Sequence, residues 1–213
     1  MNLPLLILLL GLIYIVLFGG MAFFRREGLS LRFALEAAAI TGLFSLVVYL
    51  TRITLNPVVF LLVLYLLTMR VRILADLGNL FARQGKASQA GSLFALAGRL
   101  FPDATSALIL KVNQATLFLQ EGKLDESIAM FGDVLQQAGQ GYLGVKYEAA
   151  AHYNLGVAYL KKHQTARATV EFNAVIDTWP ASLYAQRAQQ ALDRQRSQGS
   201  QTVDNEPENH QTQ

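Results

Sequence analysis

The chain has 213 residues, of which 53% are hydrophobic and only 15% charged, and its mean hydropathy of +0.31 is too apolar for one ordinary water-soluble domain. Cysteine is absent from the sequence, which excludes disulfides, thiolate metal sites and thiol nucleophiles and leaves packing alone to hold the fold. A formal charge of +3 with no dense Lys/Arg block suits a phosphate backbone poorly, so nucleic acid is not the expected partner.

The apolar excess lies before residue 70. Leu3 to Phe24 is apolar throughout, and about 20 such residues in a helix cross a hydrocarbon core of roughly 30 Å. No Lys or Arg precedes Leu3, and the run exceeds the roughly 7–15 apolar residues of a signal peptide, so a retained span is expected rather than a cleaved leader. Arg25, Arg26 and Arg32 follow, and then a second apolar run, Phe33 to Leu50, carries Glu36 as its single charge. Glu36 stands four residues after Arg32, a spacing that predicts an ion pair near the headgroups.

Thr51 to Asn56 breaks the pattern, Pro57 suits the first turn of a new helix, and Val58 to Met69 is apolar again. Counted from Ile53, this third segment is close to the lower limit of about 17 residues for a span. The transmembrane region is thus residues 1–70, with spans near 3–24, 33–50 and 53–69. Arg25, Arg26 and Arg32 on one side, and Arg70 and Arg72 after the third span, outweigh the lone Arg52. With three crossings, that bias puts the N-terminus outside and everything after residue 70 on the cytoplasmic side of a bacterial-type plasma membrane. No Pro or Gly interrupts Val58 to Leu77, which predicts one continuous helix running out of the membrane.

Beyond Arg70 the sequence repeats with a period of about 34 residues, the length of a helix–turn–helix unit. Residues 71–104 place Leu77-Gly78, Phe81, Ala90, Phe94, Ala97 and Pro102 where residues 149–182 place Leu155-Gly156, Tyr159, Ala168, Phe172, Val175 and Pro180. On these residues the chain resembles the tetratricopeptide repeat family. Small Gly78, Ala90, Gly156 and Ala168 let antiparallel helices approach closely. Leu77, Phe81, Phe94, Leu155, Tyr159 and Phe172 fill the space between them, and the prolines stop the second helix.

A middle copy, 108–141, keeps Ala115, Phe118, Gly122, Ser127, Phe131 and Val134 but has Lys111 and Gln114 where large residues are expected. Gly139, Gly141 and Gly144 close it, and the connection from Gly139 to about Lys146 is expected to be mobile. Residues 181–194, with Leu183, Tyr184, Ala188 and Leu192 at helical spacing, read as a capping helix. The polar stretch 196–213 reads as a disordered tail. The fold expected is all-α: N-terminal transmembrane helices, then a three-repeat solenoid over 71–195 with a C-terminal capping helix.

The family resemblance implies a ligand along the concave surface made by the first helices. The groove-facing places fall on Arg72, Asp76, Asn79 and Arg83, on Asn113, Thr116 and Gln120, and on Tyr153, Asn154 and Lys161. Asn79, Asn113 and Asn154 would form a row of amides able to bond an extended peptide backbone. The same residues equally suit the solvated polar face that every amphipathic helix needs. Chaperone-docking members of the family clamp a terminal carboxylate with basic residues, whereas this chain has Ala75 and Ala150 there, so no such clamp is expected.

His152, His163 and His210 lack metal-ligand spacing, no nucleophile or phosphate-loop motif appears, and Trp179 reads as packing beside Pro180. No cofactor, metal or enzymatic activity is therefore expected. The leading expectation is a membrane-anchored scaffold or adaptor that binds a protein or peptide. Its architecture is similar to the small membrane-anchored tetratricopeptide proteins that assist photosystem assembly, although with three spans rather than one. The other reading is a structural subunit of a larger membrane complex, with Gly11, Gly19, Gly20, Ala34 to Ala39 and Gly42 permitting close helix contacts.

Overall fold

The computed structural model describes residues 2–24, 30–139 and 143–204. All the regular structure among them is helical. The helices are α1 (Leu3–Phe24), α2 (Leu31–Thr51), α3 (Pro57–Thr68), α4 (Arg70–Arg83), α5 (Ala87–Arg99), α6 (Ala104–Gln120), α7 (Leu124–Ala138), α8 (Val145–Lys161), α9 (Thr165–Thr178) and α10 (Leu183–Asp204). Arg25, Arg26, residues 140–142 of the Gly139–Lys146 connection and His210 lie outside the described residues.

Two helices, α1 and α2, are long and apolar enough to cross a membrane. They form an antiparallel hairpin whose closest approach is at Gly11, where a Cβ would stand 2.3 Å from the Thr41 side chain. Gly19, Gly20 and Gly42 have no neighbour within 4 Å of that position, so of these glycines only Gly11 serves packing inside the chain. The Ser45 hydroxyl donates to the Pro4 carbonyl at 3.1 Å, tying the start of α1 to the second half of α2.

Asn56 caps α3 by accepting from the Val58 amide at 2.9 Å, and Pro57 occupies the first turn, where its missing N–H costs nothing. The helix then runs back along the hairpin. Phe60 meets Phe44 with ring centroids 5.5 Å apart, Tyr65 meets Phe18 at 6.0 Å, and Thr68 bonds the Tyr14 hydroxyl at 2.7 Å. With 12 residues α3 is about 18 Å long, short of a hydrocarbon core.

The continuous helix predicted over Val58–Leu77 does not form: the chain breaks at Met69 and α4 leaves α3 at a bend of 69°. Local side-chain chemistry explains it without proline or glycine. The Thr68 hydroxyl turns back onto the Leu64 carbonyl at 2.8 Å, Met69 sits at φ −99°, ψ 7°, and Arg70 Nη1 donates to the Leu67 carbonyl at 2.5 Å. The bend carries Arg70 over α2, and this corrects a second expectation. Glu36 pairs with Arg70, at 2.5 Å, and not with Arg32, whose Nη1 reaches the Pro102 carbonyl at 3.5 Å.

From α4 onward the chain is a tetratricopeptide-like solenoid of three helix pairs, α4/α5, α6/α7 and α8/α9, capped by α10. Each second helix buries the same three places one and two turns apart: Ala90, Phe94 and Ala97; Ser127, Phe131 and Val134; Ala168, Phe172 and Val175. Opposite the phenylalanines stand small residues: a Cβ on Gly78 would lie 2.4 Å from the Phe94 ring, and one on Gly156 would lie 2.7 Å from Phe172. The middle pair uses Ala115 instead, and the buried Ser127 hydroxyl donates to its carbonyl at 2.9 Å. Lys111, out of pattern as a core residue, pairs with Asp133 at 2.7 Å, and that contact holds the Asp133 carboxyl below the usual carboxylate range.

Leu77 departs from its expected packing role and is 42% exposed, whereas its counterpart Leu155 is 3% exposed. Leu155 packs back onto the preceding repeat, and α4 has no preceding repeat because the bend turns α3 away. At the other end, α10 begins at the Ser182 hydroxyl, which accepts from the Ala185 amide at 3.0 Å, and buries Ala185, Ala188 and Leu192 against Phe172 and Val175. It continues to Asp204 through the segment expected to be a tail from 196; residues 205–213 lie outside the described residues.

The three inter-helix turns share one geometry. The amides of Lys86, Lys123 and Gln164 bond the carbonyls of Phe81, Phe118 and Tyr159 at 3.0, 2.9 and 2.9 Å. The residue before each is left-handed: Gly85 (φ 74°), Gly122 (φ 78°) and His163 (φ 59°). Only the third repeat puts a side chain there. His163→Gly should therefore stabilise the fold by about 0.5–1 kcal/mol, read as a higher urea midpoint of the full chain in detergent. In the same assay Gly156→Leu should cost about 1–3 kcal/mol, because the Phe172 ring it would meet is fully buried.

Candidate functional site

The first helices of the repeats, α4, α6 and α8, line a concave cavity of about 430 Å³. Helix α4 contributes Asp76, Asn79 and Arg83, three to four residues apart along one face, with Leu80 and Ala82 beside them. Helix α6 contributes Val112, Asn113, Thr116, Leu117 and Gln120, and α8 contributes Lys146, Tyr147, Ala150 and Asn154. Tyr184 closes one side from α10. The result is a floor of Val112, Leu117 and Ala150 beneath polar side chains from three successive repeats.

Seven of the ten residues placed in the groove by the repeat register line this cavity together: Asp76, Asn79, Arg83, Asn113, Thr116, Gln120 and Asn154. The amides of Asn79 and Asn113 are half-buried and make no side-chain hydrogen bond among the described residues. Asn154 Nδ2 donates to Thr116 Oγ1 at 3.2 Å, and the Thr116 hydroxyl donates onward to the Val112 carbonyl at 2.8 Å. The row of amides is thus present, with Asn154 braced and the other two available to a ligand.

The remaining three do not line the groove. Arg72 is on the same face of α4 as Asp76 but one turn nearer the apolar hairpin, and it lines a second cavity of about 760 Å³ between the hairpin and the first repeat. Tyr153 is one residue, about 100° of helix rotation, away from Asn154, and stacks on Phe172 and Tyr184 at 5.9 and 5.7 Å. Lys161 keeps the right angle but stands at the last residue of α8, beyond the end of the concave wall.

Sequence reasoning missed Lys146 and Tyr147, and the spacing 146, 150, 154 was the signal that could have found them. Lys146 lies over the Tyr147 ring, 5.4 Å from its centroid. With Arg83 and Lys146 against Asp76, the groove carries two cations and one carboxylate. His152, outside the groove, is paired through Nδ1 with Glu171 at 2.7 Å.

No family model and no curated protein matches the chain. Among solved structures it is similar to the N-terminal domain of stress-induced protein-1 (STI-1) from C. elegans, at 18% identity and a TM-score of 0.47, covering 58% of this chain and 95% of that one.

Proposed function

We propose that this protein is a non-enzymatic membrane-anchored adaptor that holds an extended segment of a partner protein in the groove between α4, α6 and α8. The observation that carries this reading is the convergence of Asn79, Asn113, Thr116 and Asn154, from three successive repeats, on one cavity. An extended peptide presents alternating N–H and C=O groups, and an asparagine side chain offers both an acceptor and two donors to match them. The charge balance of the wall favours a segment with an acidic residue near Arg83 or Lys146.

In this reading α1 and α2 cross the bilayer, and α3, too short to cross by itself, completes the third crossing together with the non-helical residues 53–56 before it and delivers the repeats to the side of Arg32. That side is the cytoplasmic face of a bacterial-type membrane, where the adaptor assists assembly of a membrane complex.

Photocrosslinking from Gln120 in intact membranes tests the groove. With Asn79→Ala and Asn113→Ala together, the yield of captured partner below saturation should fall about thirtyfold, as expected for two lost hydrogen bonds of about 1 kcal/mol each. Capture unchanged by the double variant would refute a peptide in this groove.

A further inference from the structure

The corner between α5 and α6 combines two unfavourable features in one residue. Phe101 holds a left-handed backbone, φ 53°, which bulky residues rarely adopt, and its ring is 74% exposed. No other large apolar side chain among the described residues is so exposed. In the last turn of α5 before it, Leu96 is 47% exposed and Arg99 is exposed.

Arginines from the membrane-proximal segment hold the backbone on both sides of this ring. The Leu100 carbonyl accepts Nε and Nη2 of Arg70 at 3.2 and 3.1 Å, and the Pro102 carbonyl accepts Nη1 of Arg32 at 3.5 Å. Arg32 is the second residue of α2, and Glu36, which holds Arg70, lies one turn further in. These contacts fix the depth of the corner relative to the hairpin.

Helix α2 has 21 residues and is about 31 Å long, the thickness of a hydrocarbon core. The first turn of α2 therefore marks the boundary between acyl chains and headgroups, given the membrane reading on which this inference rests. Polarity changes across the same level in the larger cavity, where Ile15 and Val16 form an apolar wall and Asp103 and Ser106 a polar one.

We propose that the α5–α6 corner is a lipid-contacting surface, with the Phe101 ring seated at the boundary between headgroups and acyl chains. Arg99 beside it reaches the phosphates, and Leu96 lies along the same layer. A bilayer is the occupant because the two arginine contacts tie this corner to the end of a span, where a soluble partner would have to displace lipid to reach the ring. The first repeat thus rests on the membrane surface, and the exposed, left-handed Phe101 is the consequence of serving that contact.

Trp179 is the single tryptophan, so Trp179→Phe supplies a silent background for Phe101→Trp and, as a control in mid-α1 beside Gly11, Leu12→Trp, at a position 58% exposed. Each full-length variant is reconstituted into phosphatidylcholine vesicles carrying bromine either near the carboxyl end or in the middle of the acyl chains. Trp at 101 should emit to the blue of its water value and lose more intensity to shallow than to deep bromine, with the reverse order for Trp at 12. Quenching at 12 with water-like, unquenched emission at 101 would overturn the lipid contact and leave the membrane reading intact. Blue emission at 101 without bromine quenching would assign the ring to a protein contact and equally overturn it. Absence of quenching at both positions would remove the membrane reading, and this inference with it.

Discussion

The Arg70 guanidinium uses all three of its nitrogens to join the two halves of the chain. Nη1 bonds Glu36 in α2 and the Leu67 carbonyl at the bend, while Nε and Nη2 share the Leu100 carbonyl at the end of the first repeat. The Arg70 and Glu36 side chains are 24% and 33% exposed, so both ions have given up much of their water. Removing either one would leave the other poorly solvated, a loss well above that of a surface ion pair. Lysine could not replace it, because a single ammonium lacks the planar fork that reaches three elements at once.

This arrangement changes the mechanical picture of the molecule. A continuous helix would transmit the tilt of the last apolar segment straight into the repeats. The break at Met69 instead makes that joint a corner, stiff only because Arg70 braces it from inside and Arg32 from the Pro102 side. The solenoid beyond is built from helix pairs stacked each on the last, so fixing the first repeat fixes the direction in which the groove of α4, α6 and α8 opens. The attitude of the solenoid to the apolar hairpin, and with it the direction in which Asn79 and Asn113 face, is therefore set at this corner by Arg70 and Arg32.

The repeats were legible in the sequence because their packing is local. The triplets 90/94/97 and 168/172/175, and the glycines at 78 and 156, meet partners within the same helix pair. The groove was legible to the extent that a register carries it: residues at matching places in α4 and α6 converge, while Arg72, Tyr153 and Lys161 fail at helix ends or by a rotation of one residue. The corner was not legible. Arg70 meets Glu36 across 34 positions and Leu100 across 30, and neither spacing is a helical one. The i,i+4 rule pointed to Arg32 for Glu36, and the tertiary partner displaced it.

The direct test is the distance between the hairpin and the second repeat, measured by pulsed electron spin resonance on labels at Leu43→Cys and Ala129→Cys. Both sites are exposed, and the chain has no cysteine of its own. A rigid corner braced by Arg70 predicts a narrow, single distance distribution in the otherwise native chain, and a broad one when Arg70→Ala is added. A distribution already broad with Arg70 in place, or one equally narrow without it, would contradict the account.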